Sequence, residues 1–378
     1  METATPIRIL RIIARMNVGG PAVQICNLMN KLDRGLFEQL LVTGYCGEDE
    51  KEYLEGEKVE FQIHRIRELG VSINFLRDLV AILKIIRIIY KFKPDIIHTH
   101  TAKAGFMGRI AGIMYPRSTK IIHTFHGHLL YGYFPKWKTK LIISAEVILG
   151  YFTDFLIAVG ETVKEELISV GVGNQLKFLV INPGIEEIPR LEKKAWVKKF
   201  NLPEDKFIIA FVGRLTKIKR IDRLVEVIKL AKKELNTVHF IIAGGGIEEE
   251  YLKRQVEDFH LPVTYVGWIK SLNEITCLAD AYILTSDNEG TPISLIQAMI
   301  AGIPIISTEV GSVSDVVENG VSGILTKANP EELFQAVKII STNQEKYRLF
   351  STNSKQIGLS KFSLEKFIEK YSELYTKA

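Results

Sequence analysis

Two short runs, FIIAFV at 207–212 and HFIIAG at 239–244, carry apolar residues on both faces instead of alternating, and they constrain the fold most. A strand wetted on one side alternates apolar with polar residues. A continuous apolar run suits a parallel sheet with helices over both faces. Similar runs recur along the chain, giving candidate strands at 7–14, 38–43, 61–66, 96–99, 120–124, 155–159 and 176–181. A second series falls at 207–212, 238–243, 263–266, 281–285, 303–307 and 323–325. Between them lie amphipathic stretches such as Phe75–Phe92, Ile221–Leu235 and Pro330–Ile340. Strand–helix alternation of this kind predicts an α/β architecture.

The alternation pauses once, at Asn182-Pro183-Gly184-Ile185 followed by the charged stretch EKKAWVKKF. Two doubly wound, Rossmann-like parallel-sheet domains are therefore expected, 1–185 and 186–360. A final helix over 361–378 has no strand after it and is free to pack across either domain. The 378 residues are 47% hydrophobic and 25% charged, which excludes disorder as the dominant state. Lys plus Arg exceed Asp plus Glu by 49 − 44 = 5. That excess gives no reason to expect nucleic acid, and leaves room for acidic ligands or an anionic membrane surface.

Cys26, Cys46 and Cys277 have no CxxC spacing, so neither a disulfide framework nor a Cys-based zinc site is expected. The reducing cytoplasm fits such cysteine usage. Arg8, Arg11 and Arg15 interrupt the apolar N-terminus, unlike a signal peptide. Thr291–Thr308 runs 18 positions without a charge, but Pro292, Gly302 and Pro304 make it read as helix, turn and buried strand.

Ligands of open parallel sheets bind at the carboxyl ends of strands. Polar groups gather at those ends here. His98 and His100 close one candidate strand, and His123, His126 and His128 surround another in HTFHGH. Gly213 and Arg214 follow FIIAFV, Gly244–Gly246 follow HFIIA, and Asp287–Gly290 follow AYILTS. In GRLTKIKR, Arg214 and Lys219 offer a fork and a point charge to a diphosphate. A solvated basic loop is the plain alternative. In SDNEGTPISLIQAM, Gly290 and Pro292 suit a helix start whose amides face a ligand. Glu289 there can accept from two sugar hydroxyls, or simply complement the helix dipole.

His126 suits active-site work, although packed structural histidines or a metal site are other readings; no HExxH or Cys-His spacing accompanies it. Gly19 and Gly20 permit close ligand approach or form a tight turn. Gly244–Gly246 is no dinucleotide fingerprint, because position 249 is Glu249. The chain has no P-loop and no DxD pair. Two stretches combine basic and apolar residues in a way that suits an anionic lipid interface, Phe75–Lys93 and YGYFPKWKTK at 131–140. An ordinary helix with a wet face is the alternative for the first, and acceptor binding for the second.

Taken in order, VGGPAVQICNL, HTHTAKAGFMGR, HTFHGH, GRLTKIKR, AGGG and SDNEGTPISLIQAMIAGIPII resemble the GT-B glycosyltransferases of family 4, retaining enzymes that use nucleotide-sugar donors. The resemblance implies two Rossmann-like domains facing across a cleft, with the acceptor on the first and the donor on the second. It implies diphosphate contacts from Arg214 and Lys219, sugar contacts from Glu289, and phosphate-facing amides at Ile293 and Ser294. His126 would act on the reacting sugar. Gly19, Gly20, Gly213, Gly244, Trp268, Gly290 and Thr291 would complete the donor site, and His100, Lys103 and Tyr131 are acceptor-side candidates. Two positions depart from the family pattern. Gln297 replaces the second glutamate of an E-x7-E pair that grips the ribose, and Arg220 follows the lysine where glycine is usual.

The resulting expectation is a metal-independent, cofactor-free retaining transferase. The resemblance implies a nucleotide diphosphate hexose or N-acetylhexosamine donor, UDP-linked, and as acceptor a glycan or lipid-linked glycan of a surface polysaccharide. The chain would be cytoplasmic, with peripheral contact to the inner membrane face. A GT-B-fold nucleotide-sugar 2-epimerase and a catalytically silent sugar-nucleotide-binding subunit are the alternatives.

Overall fold

The computed structural model describes residues 5–47, 50–55, 59–70, 74–116, 118–127, 135–187, 193–269 and 272–378. The chain forms two compact units, Met1–Gly184 together with Leu364–Ala378, and Ile185–Ser363. The first holds β1 (Ile7–Ile13), β2 (Phe37–Thr43), β3 (Gln62–Arg65), β4 (Ile96–His100), β5 (Lys120–Phe125), β6 (Phe155–Ala158) and β7 (Phe178–Val180). They form one sheet in the order β3-β2-β1-β4-β5-β6-β7. The second unit holds β8 (Phe207–Val212), β9 (Val238–Ala243), β10 (Val263–Gly267), β11 (Ala281–Leu284), β12 (Ile305–Thr308) and β13 (Gly323–Thr326). Their order is β10-β9-β8-β11-β12-β13. Every ladder in both sheets is parallel. Each sheet reverses direction beside its first strand, the doubly wound arrangement of the GT-B fold.

The uncharged stretch at 291–308 supplies the buried helix Ile293–Ile300 and β12. Among the described residues no helix is long and apolar enough to cross a membrane.

The period of two along β1 explains how the first sheet is covered. Leu10 and Ile12 pack with Ala81, Ile85, Met107 and Ala111, which belong to the helices Phe75–Phe92 and Ala102–Ile113. Ile9 faces the other way, into a cluster with Leu28, Ile96, Ile122 and Ile157. The helix Gly20–Lys31 covers part of that face. The remainder is closed by the last helix, Leu364–Lys377, whose Phe367, Tyr371, Leu374 and Tyr375 join the same cluster. A parallel sheet left bare on one face would expose a row of isoleucines, so the return of the C-terminal helix follows from the sheet's composition.

Arg11 sits among those isoleucines and is fully buried. Its Nη1 donates to Tyr375 Oη at 2.8 Å and to His98 Nδ1 at 3.0 Å. Nε and Nη2 both donate to Gln39 Oε1, at 3.3 and 3.1 Å. These acceptors are all neutral, so the guanidinium depends on hydrogen bonds rather than a carboxylate for its stability in the core. Tyr375→Phe keeps the ring and removes one acceptor. The expected cost is about 1–3 kcal/mol, the usual range for orphaning a buried polar group, read as a lower thermal or denaturant midpoint of the full chain. An unchanged midpoint would show that the hydroxyl does not anchor the helix.

Candidate active site

In the second unit, three loops meet at the carboxyl ends of β8, β9 and β10. Gly213 N donates to Ala243 O at 3.0 Å, Leu215 N to Gly245 O at 2.9 Å, and Gly244 N to Gly267 O at 2.7 Å. The approach is too close for side chains. A Cβ on Gly244, whose φ is 130°, would lie 1.9 Å from Gly213 O, and one on Gly245 would lie 2.3 Å from Trp268 Nε1. Gly244 therefore serves backbone packing, and Gly245 makes room for Trp268, which is laid against it.

Beyond Gly213 the chain makes a 3₁₀ turn, Lys217–Lys219, before the helix Ile221–Glu234. Lys219 Nζ lies 2.5 Å from Glu289 Oε1. The same oxygen accepts from Ser286 Oγ. A Cβ on Gly213 would sit 3.7 Å from Lys219 Cε, so the lysine stem lies over that glycine. Arg214 is exposed at the same strand end.

Several bonds hold this arrangement. Asp287 N donates to Ile218 O at 2.9 Å, and Thr285 Oγ1 to Lys219 O at 2.9 Å. Buried Arg223 donates to Thr285 O at 2.5 Å and to Asp287 Oδ1 at 2.7 Å. On the far side, Gly311 (φ 52°) lets the Glu289 carbonyl come within 1.9 Å of where its Cβ would stand, and Ser312 N donates to that carbonyl.

Gly290 and Thr291 lead into the helix Ile293–Ile300, capped by Pro292. The Pro292 carbonyl accepts from Leu295 N at 3.1 Å and Ile296 N at 3.3 Å. The amides of Ile293 and Ser294 precede that bonding and, by helix geometry, lack intrahelical acceptors. Gln297 stands one turn on from Ser294. Its amide oxygen is buried and has no hydrogen-bond partner among the described residues.

Arg220 has φ 52° and ψ 59°, a left-handed conformation that glycine adopts without cost. This explains why glycine is usual there in the family pattern. Arg220 instead forms ion pairs with Asp222 (2.7 Å) and Asp287 (3.1 Å), which offset the strain. Those carboxylates also raise the guanidinium pKa, with the Asp222 hydrogen bonds the largest cause.

In the first unit, the period of two sorts the histidines. His98 and His100 point to the C-terminal-helix side of β4, while Thr99 and His123 point to the other. There His123 packs against Gly105, where a Cβ would fall 2.4 Å from its ring. Thr99 Oγ1 lies 2.8 Å from His123 Nδ1.

Arginine can only donate, so His98 Nδ1 accepts from Arg11; His98 Nε2 then carries the proton and donates to Thr124 Oγ1 at 2.7 Å. His100 Nδ1 lies 3.0 Å from His126 Nε2, and the two rings stack. One proton lies between those nitrogens. The outer nitrogens, His100 Nε2 and His126 Nδ1, are buried without partners among the described residues, so when both rings are neutral one of the facing nitrogens donates and the other accepts. Burial pushes all four rings below the ordinary histidine value, and Arg11 adds to the effect at His98. His126 falls to about 3.

Lys103 is engaged by Asp78 at 2.9 Å. Gly19 caps the helix that Gly20 and Pro21 open, and nothing lies nearer than 3.9 Å to where its Cβ would stand. Tyr131, like His128, falls outside the described residues. Among the described residues no group of three or more His, Cys, Asp or Glu side chains is arranged to hold a metal ion.

Several groups that build these sites escape a motif reading. Ser286 and Arg223 look like ordinary loop and helix residues. Tyr375 meets Arg11 from 364 positions away. Thr101, directly after His100, takes φ 64° and ψ 156°, a region occupied almost solely by glycine and so strained for a β-branched residue.

Parallel sheets of this order define a doubly wound α/β class, whose ligand sites lie at the carboxyl ends of the strands. Residues 18–187 match the model of Glycosyltransferase Family 4, and residues 192–357 that of Glycosyl transferases group 1. A UDP-Gal:alpha-D-GlcNAc-diphosphoundecaprenol alpha-1,3-galactosyltransferase of Escherichia coli is 26% identical, covering 80% of this chain and 81% of its own. The capsular polysaccharide biosynthesis glycosyltransferase CapM of Staphylococcus aureus is 24% identical, covering 83% and 85%. Among solved structures, Anabaena HepE in complex with UDP and glucose superposes with a TM-score of 0.82 at 19% identity, covering 98% of this chain and 100% of that one. The chain belongs to the family 4 glycosyltransferases and has the GT-B fold. It is a glycosyltransferase.

Two outcomes follow from the geometry. The folded state holds His98, His100, His123 and His126 neutral, whereas in the unfolded chain each protonates near pH 6.5. Stability is therefore full above pH 6.5 and falls as pH drops below it, by up to about 1.4 kcal/mol per pH unit for each histidine. Denaturant titrations between pH 7.5 and 5 check this; flat stability would mean that the rings stay protonatable in the fold. The second outcome concerns backbone strain. Arg220→Gly is expected to be more stable than Arg220→Ala by about 1 kcal/mol, since both lose the ion pairs but only alanine keeps the left-handed cost. Equal midpoints would remove the strain argument.

Proposed function

We propose that the chain moves a hexose or N-acetylhexosamine from a nucleotide diphosphate sugar, with UDP as the nucleotide, to a lipid-linked glycan acceptor during surface-polysaccharide synthesis. The observation that carries this reading is Lys219 held against Glu289, which also accepts from Ser286, at the carboxyl ends of β8 and β11. An ammonium has three N–H donors, so Lys219 can keep Glu289 and still offer two to a diphosphate. Arg214, exposed at the same strand end, adds a fork suited to phosphate. The Ile293 and Ser294 amides add further donors. Gln297 brings a buried, unpartnered acceptor to which a ribose hydroxyl can donate, offsetting the cost of leaving it unpaired.

As the anomeric carbon–oxygen bond breaks, negative charge grows on the departing diphosphate. Positioned donors stabilise that charge without reorganising at the moment of reaction. Glu289 accepts from the sugar hydroxyls. No carboxylate in this constellation is assigned as a nucleophile. Retention therefore follows from front-side attack, with the leaving phosphate taking the acceptor proton. In the first unit His126 is held as a neutral ring, its tautomer tied to that of His100. Charge stabilisation rests on Lys219, Arg214 and amides, so the reaction requires no divalent metal. The E. coli and S. aureus relatives' names support the polysaccharide setting, and the name of the first supports a lipid-diphosphate acceptor.

The test is transfer from UDP-hexoses and UDP-N-acetylhexosamines to undecaprenyl-diphosphate-linked acceptors. Arg214→Ala and Lys219→Ala are each expected to lower turnover ~10²–10³-fold, the usual cost of removing one charge-stabilising donor. Wild-type turnover should survive EDTA. Near-normal turnover in both variants would remove the diphosphate assignment, and metal-restored activity would remove the metal-free mechanism.

A further inference from the structure

The helices Phe75–Phe92, Ala102–Ile113 and Lys136–Tyr151 pack side by side in the first unit, with Ala102–Ile113 in the middle. The outer surface of this layer is unusually apolar. On the first helix Phe75, Leu76, Leu79 and Leu83 stand 81%, 71%, 47% and 57% exposed, at spacings that place them on one stripe. The middle helix adds Phe106 at 43%, and the third adds Trp137 at 61% and Leu141 at 63%. Scattered exposed apolar residues need no explanation, whereas a field spread over three packed helices does.

The charges of the layer are one-sided. The three helices carry only two carboxylates, Asp78 and Glu146. Asp78 is paired with Lys103 at 2.9 Å, and Glu146 with buried Arg109 at 2.6 Å. Exposed Arg77, Arg87 and Lys91 flank the stripe on the first helix, and exposed Lys136, Lys138 and Lys140 flank it on the third. Every acid faces inward to a partner, and the surface left outside is apolar and positive.

The field runs the length of the layer, since Tyr90, Ile113, Met114, Ile148 and Tyr151, at or just past the far ends of the same helices, are exposed as well.

We infer that this face docks on an anionic lipid bilayer, with the apolar stripes entering the interface and the basic residues meeting lipid phosphates. Apolar area and charge act together in such binding, and a face with both needs no spanning helix. Charge of one sign around an apolar field complements a surface of lipid phosphates. The inference deepens the proposed use of a lipid-linked acceptor and rests on that reading for its purpose, though not for its geometry.

Flotation of the full chain with phosphatidylcholine vesicles, with and without phosphatidylglycerol, tests it at low and high salt. Wild type is expected to float with the anionic vesicles at low salt and to be released by high salt. Leu79→Glu combined with Leu141→Glu, and separately Lys136→Glu combined with Lys138→Glu, should each weaken binding about tenfold or more. Hydrolysis of UDP-sugar in solution should be unchanged in both, which also shows that they fold. Absence of wild-type flotation, or equal flotation of wild type and variants, overturns the inference. So does a wild-type dimer that the variants dissociate without any vesicle binding, which would make the face a contact between copies. Flotation lost in the variants supports the docking face even if no lipid-linked acceptor is used, and that result would count against the acceptor reading alone.

Discussion

A seven-stranded parallel sheet rich in isoleucine must be covered on both faces, and much of the first unit follows from that requirement. The helix Gly20–Lys31 covers only part of one face. The chain therefore returns from the second unit to lay Leu364–Lys377 over Ile96, Ile122 and Ile157. That helix brings Tyr375 to Arg11 and His98, fixing the His98 tautomer at the base of the histidine pair. The same requirement, met on the opposite face by three helices, leaves the outer apolar and basic layer uncovered. Coverage of one sheet thus links the return of the C-terminal helix, the neutral histidines and the proposed lipid surface.

In the second unit the controlling factor is close approach of backbone. Gly244 lets its backbone approach Gly213 and Gly245 makes room for Trp268, while the lysine stem lies over Gly213. Gly311 likewise lets backbone approach behind Glu289. The result is an ammonium and a carboxylate 2.5 Å apart, anchored by Arg223 and Asp287 rather than left on mobile surface chains. Arg220 shows how such a site tolerates a departure from the family pattern. The backbone keeps the left-handed turn that glycine would take freely, and two aspartates offset the strain.

The fold was legible because its signal is local. Runs such as FIIAFV need only their own residues to declare a doubly covered strand, and each of the thirteen candidate strands overlaps a strand of the structure. The uncharged stretch at 291–308 was readable as helix and strand because proline and glycine punctuate it. The placement of Gly213, Arg214 and His100 at strand ends was legible for the same reason. The contacts that give those residues their chemistry were not. Arg11 and Tyr375 meet across almost the whole chain, and nothing near either one marks the pairing. The pairing of Ser286 with Glu289, the strain at Thr101 and the left-handed Arg220 are matters of backbone path. A residue string shows such features only where glycine or proline reports them.

The central claim is that the loops after β8 and β11 hold a nucleotide diphosphate. A crystal structure of the full chain with UDP bound tests it most directly. The account expects phosphate oxygens within hydrogen-bond reach of Lys219 Nζ, the Arg214 guanidinium and the Ile293–Ser294 amides, with a ribose hydroxyl donating to the Gln297 amide oxygen. UDP bound with its phosphates away from both Lys219 and Arg214 would contradict it.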